Sequence, residues 1–391
     1  MAALGRQIFS DTALSASGAR SCASCHVAAT GFAAAEGLSV PLGGPALDLP
    51  GLRATPSLTS AAFTPAFRLD ADGNPVGGFI RDGRGATLAQ QAVQPLLNPF
   101  ERALADAATL QQILATRPYK AEFEAVFGPL ALTPPEQTLA AVGAALAAFE
   151  TGNPEFQRFD SKFDAFQRGS ASLDAVEMAG LQAFNDPSRG NCNACHVSSP
   201  ARGLPALFTD FSYDDIGVPR NWAIAANRPG NGLPCVPANG AAYGGSQDLY
   251  DLGLCGPLRA DLAHRTSLCG AFKVPSLRNV ALRQHSFQNG VFSRLDDVVG
   301  WYATRDTDPA RWYRDAQGGV DAPFNDLPPG LHGSINLDEV PYSPLLAPTL
   351  DAREFASIVA FLCTLSDGWD PALPDDYARR PQCLQARAAA Q

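Results

Sequence analysis

Four of the nine cysteines and two of the five histidines fall in two copies of one five-residue pattern, Cys22-Ala23-Ser24-Cys25-His26 and Cys192-Asn193-Ala194-Cys195-His196. C-x-x-C-H is the spacing of covalent haem attachment. Two thiols one turn apart reach the two vinyl groups of one macrocycle, and the adjacent imidazole becomes the proximal iron ligand. A thioredoxin-like redox pair would sit in a βαβ context, which neither copy has. A zinc site would need further Cys or His at short spacing. The chain is therefore expected to carry two covalently bound haem c groups, on Cys22 with Cys25 and on Cys192 with Cys195, with His26 and His196 on iron.

Covalent haem attachment in bacteria takes place outside the cytoplasmic membrane, so the expected compartment is the periplasm. Residues 1–20 contain Arg6, Asp11 and Arg20 and no continuous apolar run, so no signal peptide is expected in the chain as it stands. An oxidising compartment makes the remaining cysteines, Cys235, Cys255, Cys269, Cys363 and Cys383, disulfide candidates. Candidate pairs are Cys363 with Cys383, and Cys255 with either Cys235 or Cys269; the odd number leaves at least one cysteine over. A net charge of −10 argues against a nucleic-acid groove, which needs a basic face. No apolar run of about 18 residues is present to span a membrane.

The second haem pattern begins 170 residues after the first, as in an internal duplication of a helical haem-binding unit. Helical periodicity is read over Glu101–Ala115, Pro135–Glu150, Leu173–Phe184, Leu295–Ala303 and Ala352–Leu365. Gly- and Pro-rich stretches at 40–56, 69–85, 199–258 and 315–347 separate these segments, and sustained two-residue alternation is absent. The expected fold is mainly α, with two cytochrome c-like helical haem domains joined by long ordered loops. The boundary is placed in 151–165, where Thr151-Gly152-Asn153-Pro154 ends a helix, dividing the chain into residues 1–155 and 156–391. The last helix is a candidate to pack back on the first domain.

Further motifs carry a family resemblance. Leu4-Gly5-Arg6-Gln7-Ile8-Phe9 ahead of the first haem pattern, Arg81-Asp82-Gly83-Arg84 with Leu88 and Gln91, Phe272-Lys273-Val274-Pro275-Ser276-Leu277-Arg278-Asn279-Val280, and Glu354–Leu365 occur in the order seen in one family. The chain resembles the bacterial di-haem cytochrome c peroxidase family, which includes MauG, over nearly its whole length except an enlarged loop at about 225–265. The resemblance implies hydrogen peroxide as oxidant, acting at the first haem, with the second haem handling electrons.

The family's branches differ in their sixth iron ligands. Some members hold the second iron by His and Met, but this chain has only Met1 and Met178, neither placed for that role. The family's ligand position lies fourteen residues beyond Gln288, at Tyr302, and Tyr is the MauG-type ligand. Peroxidases of the family also carry a displaceable distal His sixteen residues after the first proximal one, where this chain has Leu42. The first iron is thus expected to be open to peroxide. The family's proton-handling pair, a Gln and a Glu ten residues apart, maps onto Gln91 and Glu101.

Three departures accompany the match. The usual inter-haem Trp is Arg81, leaving Trp222, Trp301, Trp312 and Trp369 as candidate relays or simply core residues. The usual loop His is Gln288, with His285 three residues earlier, while His264 and His332 read as loop residues. The usual Asn of an interdomain calcium is Ala54, ahead of Thr55-Pro56, so backbone carbonyls near Arg283 and His285 would be the remaining donors. The expected function is that of a MauG-like enzyme, in which peroxide generates a high-valent di-haem state that oxidises a Trp or Tyr of a partner protein by long-range electron transfer. The alternatives are a cytochrome c peroxidase fed by a small cytochrome or cupredoxin, and a non-enzymatic di-haem carrier, against which Gln91 and Glu101 weigh.

Overall fold

In the computed structural model, residues 1–201, 203–228, 236–238, 241–243, 249–342, 349–373 and 376–391 are described. The architecture is mainly helical. Among the described residues the strands are two- and three-residue antiparallel pairs, such as Tyr213–Asp214 with Phe272–Lys273. The helices are α1 (Ala2–Ser10), α2 (Cys22–Cys25), α3 (Leu88–Leu97), α4 (Ala107–Leu114), α5 (Lys120–Phe127), α6 (Pro135–Gly152), α7 (Lys162–Gln167), α8 (Ala175–Asn185), α9 (Leu295–Thr304), α10 (Pro309–Trp312), α11 (Ala352–Cys363) and α12 (Pro381–Ala389). Capping boxes start α8 at Asp174 with Glu177 and α11 at Asp351 with Glu354, each satisfying two backbone donors.

Two expectations need correction. The helix read from Glu101 begins only at Ala107, because the Asp106 carboxylate accepts from the Thr109 backbone N–H and caps it there. Glu101 itself lies in the turn after α3. The last helix does not fold back on the amino-terminal half. It packs on α11, buries Cys383 and Ala386 in the same core as Ile358 and Phe361, and is tied there by the Cys363–Cys383 disulfide. The second disulfide joins Cys255 to Cys269, and Cys235 lies outside the described residues.

One large core runs from Leu4 to Phe156 and a second from Phe163 to Ala386. Each is organised by a close crossing of two helices at a glycine. A Cβ on Gly5 of α1 would lie 2.0 Å from the Ala145 carbonyl oxygen of α6, and one on Gly180 of α8 would lie 1.9 Å from that of Ser357 on α11.

The repeat extends to backbone conformations. Phe32 (φ 55°) and Phe208 (φ 53°) follow the two haem patterns, and Ser60 (φ 61°) and Asn279 (φ 59°) precede short 3-10 turns. Two similar loops close through the bridges Phe79–Gly85 and Ser286–Phe292 and lead into α3 and α9. The chain is one haem-binding plan built twice.

Helix α6 also buries a carboxyl without a partner. Glu150 is 5% exposed, and its Oε2 makes no hydrogen bond. Burial pushes its pKa up to about 8. Between the ordinary carboxyl range and that value, the native chain holds a proton that the unfolded chain has released, so stability falls as pH rises across this window. Glu150→Gln is expected to abolish that fall and to stabilise the fold at pH 8 by on the order of 3 kcal/mol, with little effect at pH 4. Denaturant unfolding of both proteins at the two pH values checks this.

Candidate active site

The two halves position their haem patterns alike. Cys22 and Cys25 share the single turn α2, capped by a Ser21–Ser24 box, and Cys192 opens a 3-10 turn. His26 Nδ1 donates to the Phe32 carbonyl at 2.9 Å, and His196 Nδ1 donates to the Phe208 carbonyl at 3.0 Å. Both acceptors are the left-handed residues noted above, so the strained backbone serves to aim a carbonyl at the ring. With Nδ1 occupied, Nε2 is the nitrogen left for iron. Burial holds His26 down at about 4 and lowers His196 as well, so both rings are neutral at neutral pH, the form in which an imidazole can bind a metal.

All four pattern cysteines are free thiols, although Cys255, Cys269, Cys363 and Cys383 are paired in disulfides. Burial raises the pKa of each of the four. Unoxidised C-x-x-C pairs beside neutral imidazoles form the donor set that covalent haem requires, and they fit the group.

A cavity of about 300 Å³ opens in front of the second pattern, lined by Cys192, Cys195, His196, Val299 and Tyr302 and, from the first half, by Thr55–Thr59, Arg81 and Gln91. Tyr302 enters it from α9. Its hydroxyl makes no hydrogen bond among the described residues, and its ring stacks on Tyr342 with centroids 6.0 Å apart. Burial and the neighbouring Asp214 push its pKa far up, so a cation is needed to hold it as phenolate. Tyr302 is the eighth residue of α9, and the eighth residue of α3 is Pro95. The corresponding positions of the two helices therefore carry a phenol in the second half and a side chain with no donor atom in the first.

Gln91 lies one turn into α3 on the cavity wall. Glu101 lies on the first-haem side, within electrostatic reach of Cys22 and Cys25. Asn98 Nδ2 donates to Glu101 Oε1 at 2.7 Å. Glu101 keeps solvent exposure, yet the protein packed around its carboxyl raises its pKa against the pull of Asn98, Arg84 and Arg102. Gln91 and Glu101 make no hydrogen bond to each other. His285 lines the cavity with Nδ1 against the Gly290 carbonyl at 3.1 Å, while Gln288 is buried. His264 is exposed in a turn, and His332 lies in a 3-10 turn against the Leu327 carbonyl.

Trp301 is fully buried beside Tyr302, at 5.0 Å between centroids, and Phe292 links it to Trp312 at 6.3 and 5.6 Å. Trp222 is half-buried on Arg314, and Trp369 packs against the second core. Nothing among the described residues supports the interdomain calcium. Among the described residues, no group of three or more His, Cys, Asp or Glu is placed to hold a metal. The Ala54 carbonyl accepts instead from Arg81 Nε at 3.2 Å, and that guanidinium disfavours a second cation there.

Sequence reasoning passed over Pro95, Arg102 and Tyr342. Only Pro95 carried a signal. Aligning Ile80-Arg81-Asp82-Gly83 with Phe287-Gln288-Asn289-Gly290 places it opposite Tyr302.

Comparison with known proteins agrees with this geometry. The family profile described as di-haem cytochrome c peroxidase matches residues 1–172. Methylamine utilization protein MauG of Paracoccus denitrificans is 36% identical over 97% of this chain and 92% of its own length. The cytochrome c551 peroxidase of Nitrosomonas europaea is 27% identical over 76% of this chain and 71% of its own. The crystal structure of the diheme peroxidase BthA from Burkholderia thailandensis superposes with a TM-score of 0.81 at 36% identity, covering 97% of this chain and 90% of that one. The family consists of haem-containing, peroxide-using oxidoreductases, and among the described residues no helix is long and apolar enough to cross a membrane. With its paired haem patterns, its repeated helical plan and this identity over nearly its full length, the chain belongs to the di-haem cytochrome c peroxidase/MauG family.

Proposed function

We propose that this protein is a periplasmic MauG-like enzyme that uses hydrogen peroxide to oxidise a Trp or Tyr side chain of a partner protein by long-range electron transfer. The observation that carries the reading is the asymmetry of the repeat, Pro95 on α3 against Tyr302 on α9. Haem iron, when bound, supplies peroxide reduction and one-electron chemistry.

The chain's own residues do the rest. Peroxide cleavage needs a group that takes a proton from the inner oxygen and returns it to the outer one. Glu101 does this through Oε2, because Oε1 is held by Asn98, and its raised pKa lets it take up a proton more readily than an ordinary carboxylate. Gln91 orients the oxidant by its amide dipole. The Phe32 carbonyl keeps His26 in one tautomer. Tyr302 would hold the second iron through an anionic oxygen donor, which would favour oxidised over reduced iron, and Trp301 and Trp312 lie beyond it as oxidisable rings.

Electron paramagnetic resonance of the ferric holoprotein tests this reading. One high-spin haem and one low-spin haem without His/Met character are expected. Tyr302→Phe should abolish that low-spin signal while the high-spin signal and the haem content persist, and survival of the low-spin signal removes Tyr302 as ligand. After peroxide addition, a long-lived oxidised state that modifies a co-purified protein is expected. Rapid turnover with a reduced small cytochrome would instead favour a peroxidase like that of Nitrosomonas europaea, at 27% identity.

A further inference from the structure

Buried and half-buried arginines and lysines of this chain include two contrasting groups. Arg53, Arg220, Arg259, Arg278 and Arg305 each meet a carboxylate, at 2.6–3.3 Å. Arg102, Arg81, Arg283 and Lys273 meet none among the described residues. Arg102 is 4% exposed, and both its terminal nitrogens are buried without a partner. The Arg283 Nε is likewise unpartnered, and its Nη2 reaches only the carbonyls of Ser276 and Arg278. Lys273 Nζ donates to the Gly78 carbonyl, and Arg81 Nε donates to that of Ala54. An unpaired charge out of water is costly, so such groups persist where an anion meets them.

Their placement identifies that anion. Arg102 acts electrostatically on Cys22, Cys25 and His26, at the first haem pattern. Arg283 acts on His196 and lines the cavity at the second. Arg81 and Lys273 line the same cavity, and the Lys273 backbone N–H donates to the Arg81 carbonyl at 2.8 Å. Arg81 thus sits where the first-half segment at Ala54 meets the second-half segment at Lys273. Burial, with repulsion from Arg283 and Arg53, holds Arg81 down at about 9, and burial with repulsion from Arg81 holds Lys273 at about 8. A haem carries two propionate carboxylates, and two haems bring four negative charges to four unmatched cations.

We propose that Arg102, Arg81, Arg283 and Lys273 are the propionate anchors of the two haems, and that Arg81, between them, sets the reduction potentials of both. This rests on the di-haem reading above. A nearby cation favours the reduced, less positive iron, so removing it lowers the potential of the haem it faces.

Redox titration of holoprotein variants, followed by the separate optical signals of the two haems, tests the proposal. Arg102→Gln should lower the first haem's one-electron equilibrium at least tenfold, a shift of 59 mV, and spare the second. Arg283→Gln should do the reverse. Arg81→Gln should lower both, and Arg81→Lys, which keeps the charge, should restore most of the shift. Potentials that stay at parental values in fully loaded Gln variants, or an Arg81→Gln effect confined to one haem, overturn the proposal. Haem content measured as the pyridine haemochrome separates the two readings, because fewer than two haems in the parent protein would refute the di-haem reading itself.

Discussion

Glu101→Gln slows the reaction with hydrogen peroxide by about 10²–10⁴-fold while leaving haem content and both resting spectra unchanged. The size follows from what the substitution removes. Glutamine keeps the volume of Glu101 and can still accept from Asn98 Nδ2, now made at 2.7 Å, but it cannot take up and return a proton. The carboxyl lies in the turn after α3, not on a helix, so the change disturbs neither a cap nor a helix dipole. The pH dependence has a definite sign. Burial raises the Glu101 pKa above the ordinary carboxyl range, and the base must be ionised to accept a proton. The parent rate should therefore fall with acidification at a higher pH than an ordinary carboxyl would give, and the variant should lose that limb. Stopped-flow spectra across pH decide it, and a parental rate in the variant removes Glu101 from the chemistry.

Gly180→Ala destabilises the second haem domain by roughly 3 kcal/mol or more, and Gly5→Ala does the same to the first. The added Cβ would stand 1.9 Å from the Ser357 carbonyl oxygen in one case and 2.0 Å from that of Ala145 in the other. Both obstacles are backbone atoms inside helices, so no side chain can swing aside, and α8 must move off α11 or α1 off α6. That movement also displaces the haem patterns, since Cys192 packs against the core that contains Phe184 and Phe361, and Cys22 against the one that contains Ile8 and Leu146. Gly330→Ala is the control, because nothing lies within 4 Å of its Cβ position. Denaturant unfolding should place the control within about 0.5 kcal/mol of the parent. Equal stability of all three variants would refute the close-crossing account.

Some of the site was legible in one dimension because its chemistry is local. Two thiols and an imidazole within five residues serve one macrocycle, so Cys22–His26 and Cys192–His196 declared the cofactor before any fold was known. Four of the longer helices were legible from periodicity, but a capping side chain overrode it beyond Glu101, as Asp106 shows, and α3, with Pro95 inside it, was not read as a helix. Tyr302 was reached by counting along the resemblance, and the fold places it on the wall of the cavity that Cys192, Cys195 and His196 also line.

What the amino-acid order determined unaided was the set of local reactive groups and the twofold repeat that carries them, because covalent attachment and helical turns depend on neighbours a few residues apart. Tertiary structure alone decided which residues share the cavity across the halves, that the last helix stays with its own core, and which cations lack a carboxylate. These are relations between residues more than two hundred positions apart, such as Thr55 and Tyr302 in one cavity. They depend on packing and on the cost of burying charge, and neither leaves a pattern at fixed spacing along the chain.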